Sequence, residues 1–335
     1  MPKKISIIIP CFNVEAYIER CAQSLFRQTM GMEHLELIFI NDASTDHTLD
    51  RLTELEALYP EDIMIINSSE NLRQGGARNI GLQYASADYI AFLDSDDWVE
   101  PRMYEVLLNK MLENDCDFVC CNFKRVQSED EPMGRTGLED HLVIVDTEEA
   151  RKSVLVNNSG YGGIGSKLYK KQFITDHELT FPEHLAYEDN YWGTLVDLYV
   201  KKYYVVEEYF YHYFVNPEST IMTTNRKYHF DRLKIELLKI EELKARGVFK
   251  QYYEEWEYNF LNFFYINTLN IIFTRFTYIP IEVLRIMQRS VREHFPNYQN
   301  NKYMLSHKNQ VNLALLQTVD VDLDLEGWAE IKTLY

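Results

Sequence analysis

Three carboxylates stand within four residues at Asp94-Ser95-Asp96-Asp97, directly behind the apolar run Ile90-Ala91-Phe92-Leu93. If that run is a strand, positions i and i+2 share a face, so Asp94 and Asp96 converge. Two close carboxylates repel unless a cation lies between them. Mn2+ or Mg2+ takes oxygen ligands and keeps positions open for substrate phosphates. The ordinary alternative is a solvated turn, with Asp97 capping the next helix. A second apolar run, Ile38-Phe39-Ile40, leads into Asn41-Asp42-Ala43-Ser44-Thr45-Asp46. At a strand end the Asp42 carboxylate can accept from a base or a ribose, whereas Ser44 and Asp46 suit a helix cap. Asn71 to Gly81 is a glycine-rich turn running into a helix. It lets backbone approach a ligand, and Arg78 offers a fork for phosphate or carboxylate. Further on, Glu188-Asp189 is by itself an acidic pair of the kind favoured at a helix N-terminus.

Alternating elements must position these groups. Ile5–Ile9, 35–40, 63–66, 89–93 and 118–123 read as strands. Between them, 15–28, 48–58, 76–85 and 101–114 have helical spacing. This rhythm predicts an α/β fold with an open, mostly parallel sheet flanked by helices, and ligands at the carboxyl ends of its strands. Residues 128–140 form a polar loop, 142–145 an extra strand, 147–156 a helix and 203–214 a strand. From about residue 225 the pattern becomes mainly helical, with Gly247 ending the first helix. Residues 260–279 are apolar enough to invite a membrane-spanning reading. Asn262, Asn267, Asn270 and Arg275 interrupt them, so a buried or partner-facing helix is expected instead.

Composition narrows the function. A hydrophobic share of 46% supports a packed core, and 335 residues suit one large domain or two modest ones. Acidic residues outnumber basic ones 52 to 34, a formal charge of −18, which disfavours nucleic acid as a partner. It also disfavours a polybasic grip on a membrane, although peripheral contact stays open. Five cysteines, none in a zinc-like spacing, predict buried thiols in a reducing cytoplasm. The run after Met1-Pro2-Lys3-Lys4 is too short for a signal peptide and reads as a strand.

Four segments in order resemble the nucleotide-binding half of the family 2 glycosyltransferases: Ile8-Ile9-Pro10-Cys11-Phe12-Asn13, Asn41 to Asp46, Gly76-Ala77-Arg78-Asn79-Ile80-Gly81 and Asp94-Ser95-Asp96-Asp97-Trp98. The resemblance covers residues 1–125 and continues more weakly to about 222. It implies a GT-A fold over 1–224, with a nucleotide-binding half (1–125) and an acceptor-side half (126–224). The helical region 225–335 would then serve acceptor choice or self-association. By the same resemblance Asp42 binds the base, and Pro10, Phe12, Asn13 and Glu15 line base and ribose. Asp94, Ser95 and Asp96 hold the metal and donor diphosphate. Glu188 and Asp189 match an acceptor motif in which Asp189 deprotonates the acceptor hydroxyl and Glu188 orients the acceptor or the base. Lys167 matches a recurrent lysine, and Asn216 and Ser219 fall in a loop over the diphosphate. His212, near that loop, is expected to belong to a strand.

The implied protein is an inverting, metal-dependent hexosyl- or N-acetylhexosaminyltransferase. It would take a UDP-sugar and a glycan or lipid-linked glycan acceptor, in bacterial surface-polysaccharide synthesis in the cytoplasm or at the inner face of the membrane. Two rivals stand beside it. One is a nicotinamide oxidoreductase resting on Gly160-Tyr161-Gly162-Gly163-Ile164-Gly165, which lacks a preceding strand. The other is a protein of the same fold that binds sugar nucleotides without catalysis, a reading opposed by the intact Asp94, Asp96 and Asp189. Asp320, Asp322 and Asp324 begin like a calcium loop, but Leu325 and Ile331 stand where glycine and a bidentate acid are needed. The tail aromatics, Tyr252 to Tyr265, suit a helical core or dimer face better than sugar stacking.

Overall fold

The computed structural model describes residues 3–129, 131–157, 163–216, 223–306 and 310–334. The chain divides into two compact units, Met1–Val154 with Asn158–Asn216, and Leu155–Asn157 with Pro217–Tyr335.

The first unit opens with β1 (Ile5–Cys11), α1 (Ile18–Phe26), β2 (Leu35–Asn41), α2 (Thr48–Leu58), β3 (Ile63–Asn67), α3 (Arg73–Tyr84) and β4 (Tyr89–Phe92). β5 (Trp98–Val99), α4 (Met103–Asn114), β6 (Phe118–Val126), β7 (His141–Ile144) and α5 (Glu148–Asn157) follow. β8 (Lys167–Lys170), α6 (Lys171–Asp176), α7 (Glu188–Tyr199) and β9 (Lys202–Phe214) complete it. All seven residues of β1 are buried because helices cover both faces of the sheet. Ile7 and Ile9 pack into one core and Ile8 into the other, as strand alternation requires. Gly81 lets α3 approach closely, since a Cβ there would lie 2.4 Å from Ile8 Cγ2.

The sheet order is β3-β2-β1-β4-β8-β6-β9-β5, with β7 on β9. The parallel pairings β1–β2, β1–β4 and β2–β3 follow the alternating pattern. The sheet as a whole is mixed rather than mostly parallel. β8 runs antiparallel between β4 and β6, and β5 and β7 run antiparallel to β9. The loops after β1, β2 and β4 thus leave the same edge, bringing residues 12–15, 42–46 and 94–97 to one end.

The second unit consists of α8 (Asp231–Ala245), α9 (Tyr253–Phe260), α10 (Asn267–Arg275), α11 (Ile281–His294), α12 (Lys302–Ser306), α13 (Gln310–Gln317) and α14 (Leu325–Leu334). Gly247, at φ 74°, follows the end of α8. A π-helical turn, Leu261–Ile266, joins α9 to α10. The apolar run lies in this unit's core: Phe260, Phe264, Tyr265, Leu269 and Ile272 are all buried. Among the described residues no helix is long and apolar enough to cross a membrane. Asp320 accepts from the Tyr298 hydroxyl and Gln299, and Asp324 Oδ1 from Gly327 N, so both are used locally. Of the glycine string, Gly160–Gly162 lies outside the described residues. The remainder enters a 3-10 turn and then β8, where a dinucleotide fingerprint would need a helix.

Candidate active site

Two loops at the sheet edge brace one another. Asn13, at φ 53°, accepts Thr45 N at 2.8 Å through its side-chain oxygen, and its own N–H donates to Ser44 Oγ. Glu15 accepts His47 N at 2.8 Å, and Asp46 accepts from both Glu15 N and Thr48 N. Asp46 therefore links the loop after β1 to the first N–H of α2, whose N-cap is His47, and Asn13 and Glu15 are struts between loops. Pro10 lies on β1 opposite Ile40, and Phe12 is half exposed beyond it. Asp42 is buried just after β2 and accepts Leu72 N at 2.8 Å. Burial raises its pKa, and the Leu72 and Arg73 N–H groups oppose that rise.

The carboxylate triplet stands in a turn, not a strand, because β4 ends at Phe92. The turn itself supplies the convergence. Asp97 N donates to the Asp94 carbonyl at 3.0 Å. Asp97 is buried, takes the Tyr211 hydroxyl at 2.5 Å and Phe214 N at 2.7 Å, and so pins the turn to β9. It does not cap the following helix, which starts only at Met103. Asp96 Oδ2 accepts from Asn216 Nδ2 at 3.2 Å, and Asn216 Oδ1 accepts from the Tyr17 hydroxyl. Burial, then the charge of Asp94, raises the Asp96 pKa. Ser95 is buried, and the nearby Cys11 thiol donates to the Ile9 carbonyl. His212 belongs to β9, stacks on Trp98 at 4.8 Å and meets Glu100 through Nε2 at 2.7 Å.

Arg78 is buried on α3 and gives one terminal nitrogen to Asp94 Oδ1 at 2.7 Å and the other to Glu188 Oε1 at 2.5 Å. Burial alone would lower its pKa, but the two carboxylates outweigh that and raise it. Its fork serves two side chains of this chain. Glu188 begins α7, and its pKa is raised by burial against the pull of Arg78. Asp189, next to it, is exposed and accepts Asn190 N at 3.0 Å. Lys167 is buried on β8, 5.9 Å from the Phe118 ring centroid. Burial lowers its pKa, opposed by charges that include Asp197 and Asp189. Ser219 lies outside the described residues.

Arg20 has no mark in the sequence. Its guanidinium lies 4.0 Å from the Trp98 ring centroid and 4.4 Å from that of Phe214, and donates to the Asp96 carbonyl at 2.7 Å. It holds the acidic turn from α1. A cavity of about 520 Å3 is lined by Asn79, Lys171, Glu178, Phe181 and Glu183 among others. None of the carboxylates of the acidic turn lines it.

The family model described as Glycosyl transferase family 2 matches residues 6–176. The chain belongs to that family. Over 231 residues it is 29% identical to the putative glycosyltransferase EpsH of Bacillus subtilis strain 168, covering 67% of this chain and 64% of that protein. Over 222 residues it is 32% identical to the poly(ribitol-phosphate) beta-glucosyltransferase of Bacillus spizizenii, covering 66% of this chain and 33% of that one. The chain thus spans less than two thirds of either relative. Among solved structures, Staphylococcus aureus TarS 1–349 in complex with UDP-GlcNAc aligns with a TM-score of 0.64 at 18% identity. That alignment covers 95% of this chain and 90% of TarS 1–349. The likeness extends to the fold, a GT-A type mixed sheet flanked by helices and followed by a helical region.

Proposed function

We propose that this family 2 member transfers a sugar from a UDP-sugar to an acceptor hydroxyl with inversion, in the synthesis of a bacterial surface glycan. The observation that carries the reading is Arg78. One guanidinium ties Asp94, beside the strand-end loops, to Glu188, the first residue of α7. Groups suited to a donor diphosphate and to an acceptor hydroxyl therefore meet within one unit. The family match and the fold of a UDP-GlcNAc-binding neighbour support the donor class.

In this reading Asp42 holds the base beside Pro10, Phe12, Asn13 and Glu15. Asp189, exposed beside the Arg78–Glu188 pair, takes the proton from the acceptor hydroxyl as it attacks opposite the leaving diphosphate. Such help is worth about 10²–10⁴-fold. Glu188 orients the acceptor. Lys167, Asn216 and Ser219 are secondary contacts. Among the described residues no three acidic, His or Cys side chains form a metal cage. The Asp94–Asp96 pair fits the other kind of site, in which two carboxylates share an ion with substrate phosphates. Asp94 also faces Arg78 and Asp96 also faces Asn216, and these two carboxylates would be the ones to hold the ion. Held there, Mn2+ or Mg2+ would supply charge neutralisation for the departing diphosphate. The acceptor is a glycan or lipid-linked glycan at the cytoplasmic face of the membrane, and residues 225–335 serve acceptor choice or self-association.

Calorimetric titration with UDP and NAD, with Mn2+ or with chelator, tests the reading. Metal-enhanced binding of UDP alone is expected; no UDP binding with Mn2+ present would sink it. In assays with a panel of UDP-sugars and cell-wall glycan acceptors, Asp189→Asn is expected to keep UDP affinity and lose transfer by about 10²–10⁴-fold. Unchanged transfer removes Asp189 from the mechanism.

A further inference from the structure

Side chains along one side of α1 hold the chain from the acidic turn to the start of α4. Arg20 donates to the Asp96 carbonyl at 2.7 Å, and the Cys21 thiol to the Asp94 carbonyl at 3.9 Å. One turn further on, Ser24 Oγ accepts Val99 N at 3.3 Å. Just past the helix end, Gln28 donates to the Glu100 carbonyl at 2.8 Å and accepts Tyr104 N at 3.2 Å. Positions 20, 24 and 28 are one helical turn apart, so each meets the next stretch of the passing chain.

A closed circuit of contacts then runs from α1 round the acidic turn by way of the end of β9. The Tyr17 hydroxyl donates to Asn216 Oδ1 at 3.3 Å, and Asn216 Nδ2 donates to Asp96 Oδ2 at 3.2 Å. The Tyr17 ring centroid lies 5.7 Å from that of Phe214. The rings of Phe214 and Trp98 both flank the Arg20 guanidinium, which in turn bonds the Asp96 carbonyl. Asp96 is thus gripped twice from α1, at its carbonyl by Arg20 and at its carboxylate, through Asn216, by Tyr17. Two rings fix the plane of the guanidinium, a hold that an ammonium reproduces only in part.

Resting on the glycosyl-transfer reading, we infer that Tyr17 and Arg20 are positioning residues for the donor diphosphate: they set Asp96 against Asp94 in the geometry a shared ion needs, and so fix the metal-dependent part of donor affinity. Three carboxylates crowd this turn, and their mutual repulsion works to spread it. Asp97 is held by β9 and Asp94 by Arg78; Asp96 is held by the clamp from α1. A site kept in its binding geometry is spared the cost of ordering it. Charge alone would act with the opposite sign. As a mere counter-charge Arg20 would repel a cation at the turn, and its removal would tighten Mn2+ binding. A positioning role requires its removal to loosen that binding.

The test titrates the full chain with UDP, in chelator and across a range of Mn2+ concentrations. The proteins are wild type, Arg20→Met, Arg20→Lys, Tyr17→Phe and Glu19→Ala, the last an exposed position on the same helix. Arg20→Met is expected to keep wild-type UDP affinity in chelator. It should lose about tenfold of the affinity gained with Mn2+, the size of one charge-assisted contact, and need more Mn2+ to reach half of that gain. Arg20→Lys should recover part of the loss. Tyr17→Phe keeps the ring without the hydroxyl and should lose about threefold. Glu19→Ala should match wild type. A full Mn2+ gain in Arg20→Met or in Tyr17→Phe, or tighter Mn2+ binding by Arg20→Met, overturns the proposal. So does an equal loss of UDP affinity in chelator and in Mn2+, the mark of a general disturbance of the fold. If Arg20→Met does not fold, Arg20→Lys and Tyr17→Phe carry the same decision. UDP binding that Mn2+ leaves unchanged in wild type also overturns it, whereas no UDP binding by wild type at all defeats the donor reading, a separate failure.

Discussion

At the scale of single residues, Arg78 has the most at stake. A guanidinium with almost no solvent contact is tolerable only because Asp94 and Glu188 flank it. Removing the cation leaves Glu188 charged, buried and uncompensated. Arg78→Met should therefore destabilise the protein by about 3–5 kcal/mol, the usual cost of breaking a buried pair from one side. Arg78→Lys should recover only part of that, since a single ammonium cannot face two carboxylates as a fork does. Urea denaturation of both variants measures this; a loss below about 1 kcal/mol would mean that water reaches Glu188 and the pair is not truly buried. The fork itself was legible in the sequence, but its targets were not. A glycine-rich turn points to phosphate, whereas the partner 110 positions away at Glu188 is fixed by tertiary packing. Asp97 is a similar case. Its type suggested a cap, and its role pinning β9 depends on Tyr211 and Phe214. Arg20 left no signal, because it lies off the apolar face of its helix.

At the scale of elements, α3 acts as a clasp on the segment that leads into α7. Asn79 holds Phe181 by a reciprocal pair, donating to its carbonyl and accepting its N–H, both at 2.9 Å. Phe181 stacks on Trp192 at 4.2 Å, which ties the segment to α7. Gly75 permits the contact, since a Cβ there would lie 2.2 Å from the Pro182 carbonyl oxygen. Backbone cannot swing aside as a side chain can. Gly75→Ala should cost about 1–3 kcal/mol by overpacking, and should impair transfer more than UDP affinity because it displaces Glu188. Gly193→Ala, with nothing within 4 Å, is the control and should be neutral or slightly stabilising. Denaturation and UDP titration of the two variants decide it; a wild-type Gly75→Ala would show the clasp to be slack. The elements that apolar runs reveal, β1 to β4 with their helices, could be read from the sequence to within a few residues. β8 could not. It has four residues, Lys-Leu-Tyr-Lys, and exists because β4 and β6 pair with it from both sides. That non-local pairing turns an expected parallel sheet into a mixed one.

At the scale of the whole molecule, the excess of acid sets a conflict that salt can resolve. Fifty-two acidic side chains against 34 basic ones leave a formal charge of −18, so the folded chain repels itself over distances longer than any ion pair. Surface pairs such as Arg51–Glu54 and Arg285–Glu282 are exposed and contribute little each. Screening therefore removes more repulsion than attraction. Raising NaCl from about 10 mM to about 150 mM shortens the Debye length from about 30 Å to about 8 Å, and should raise the first thermal unfolding midpoint by a few degrees. Differential scanning calorimetry at the two salt concentrations on one protein preparation reads the shift; a midpoint that falls as salt rises would mean that local ion pairs outweigh the net charge in holding the fold.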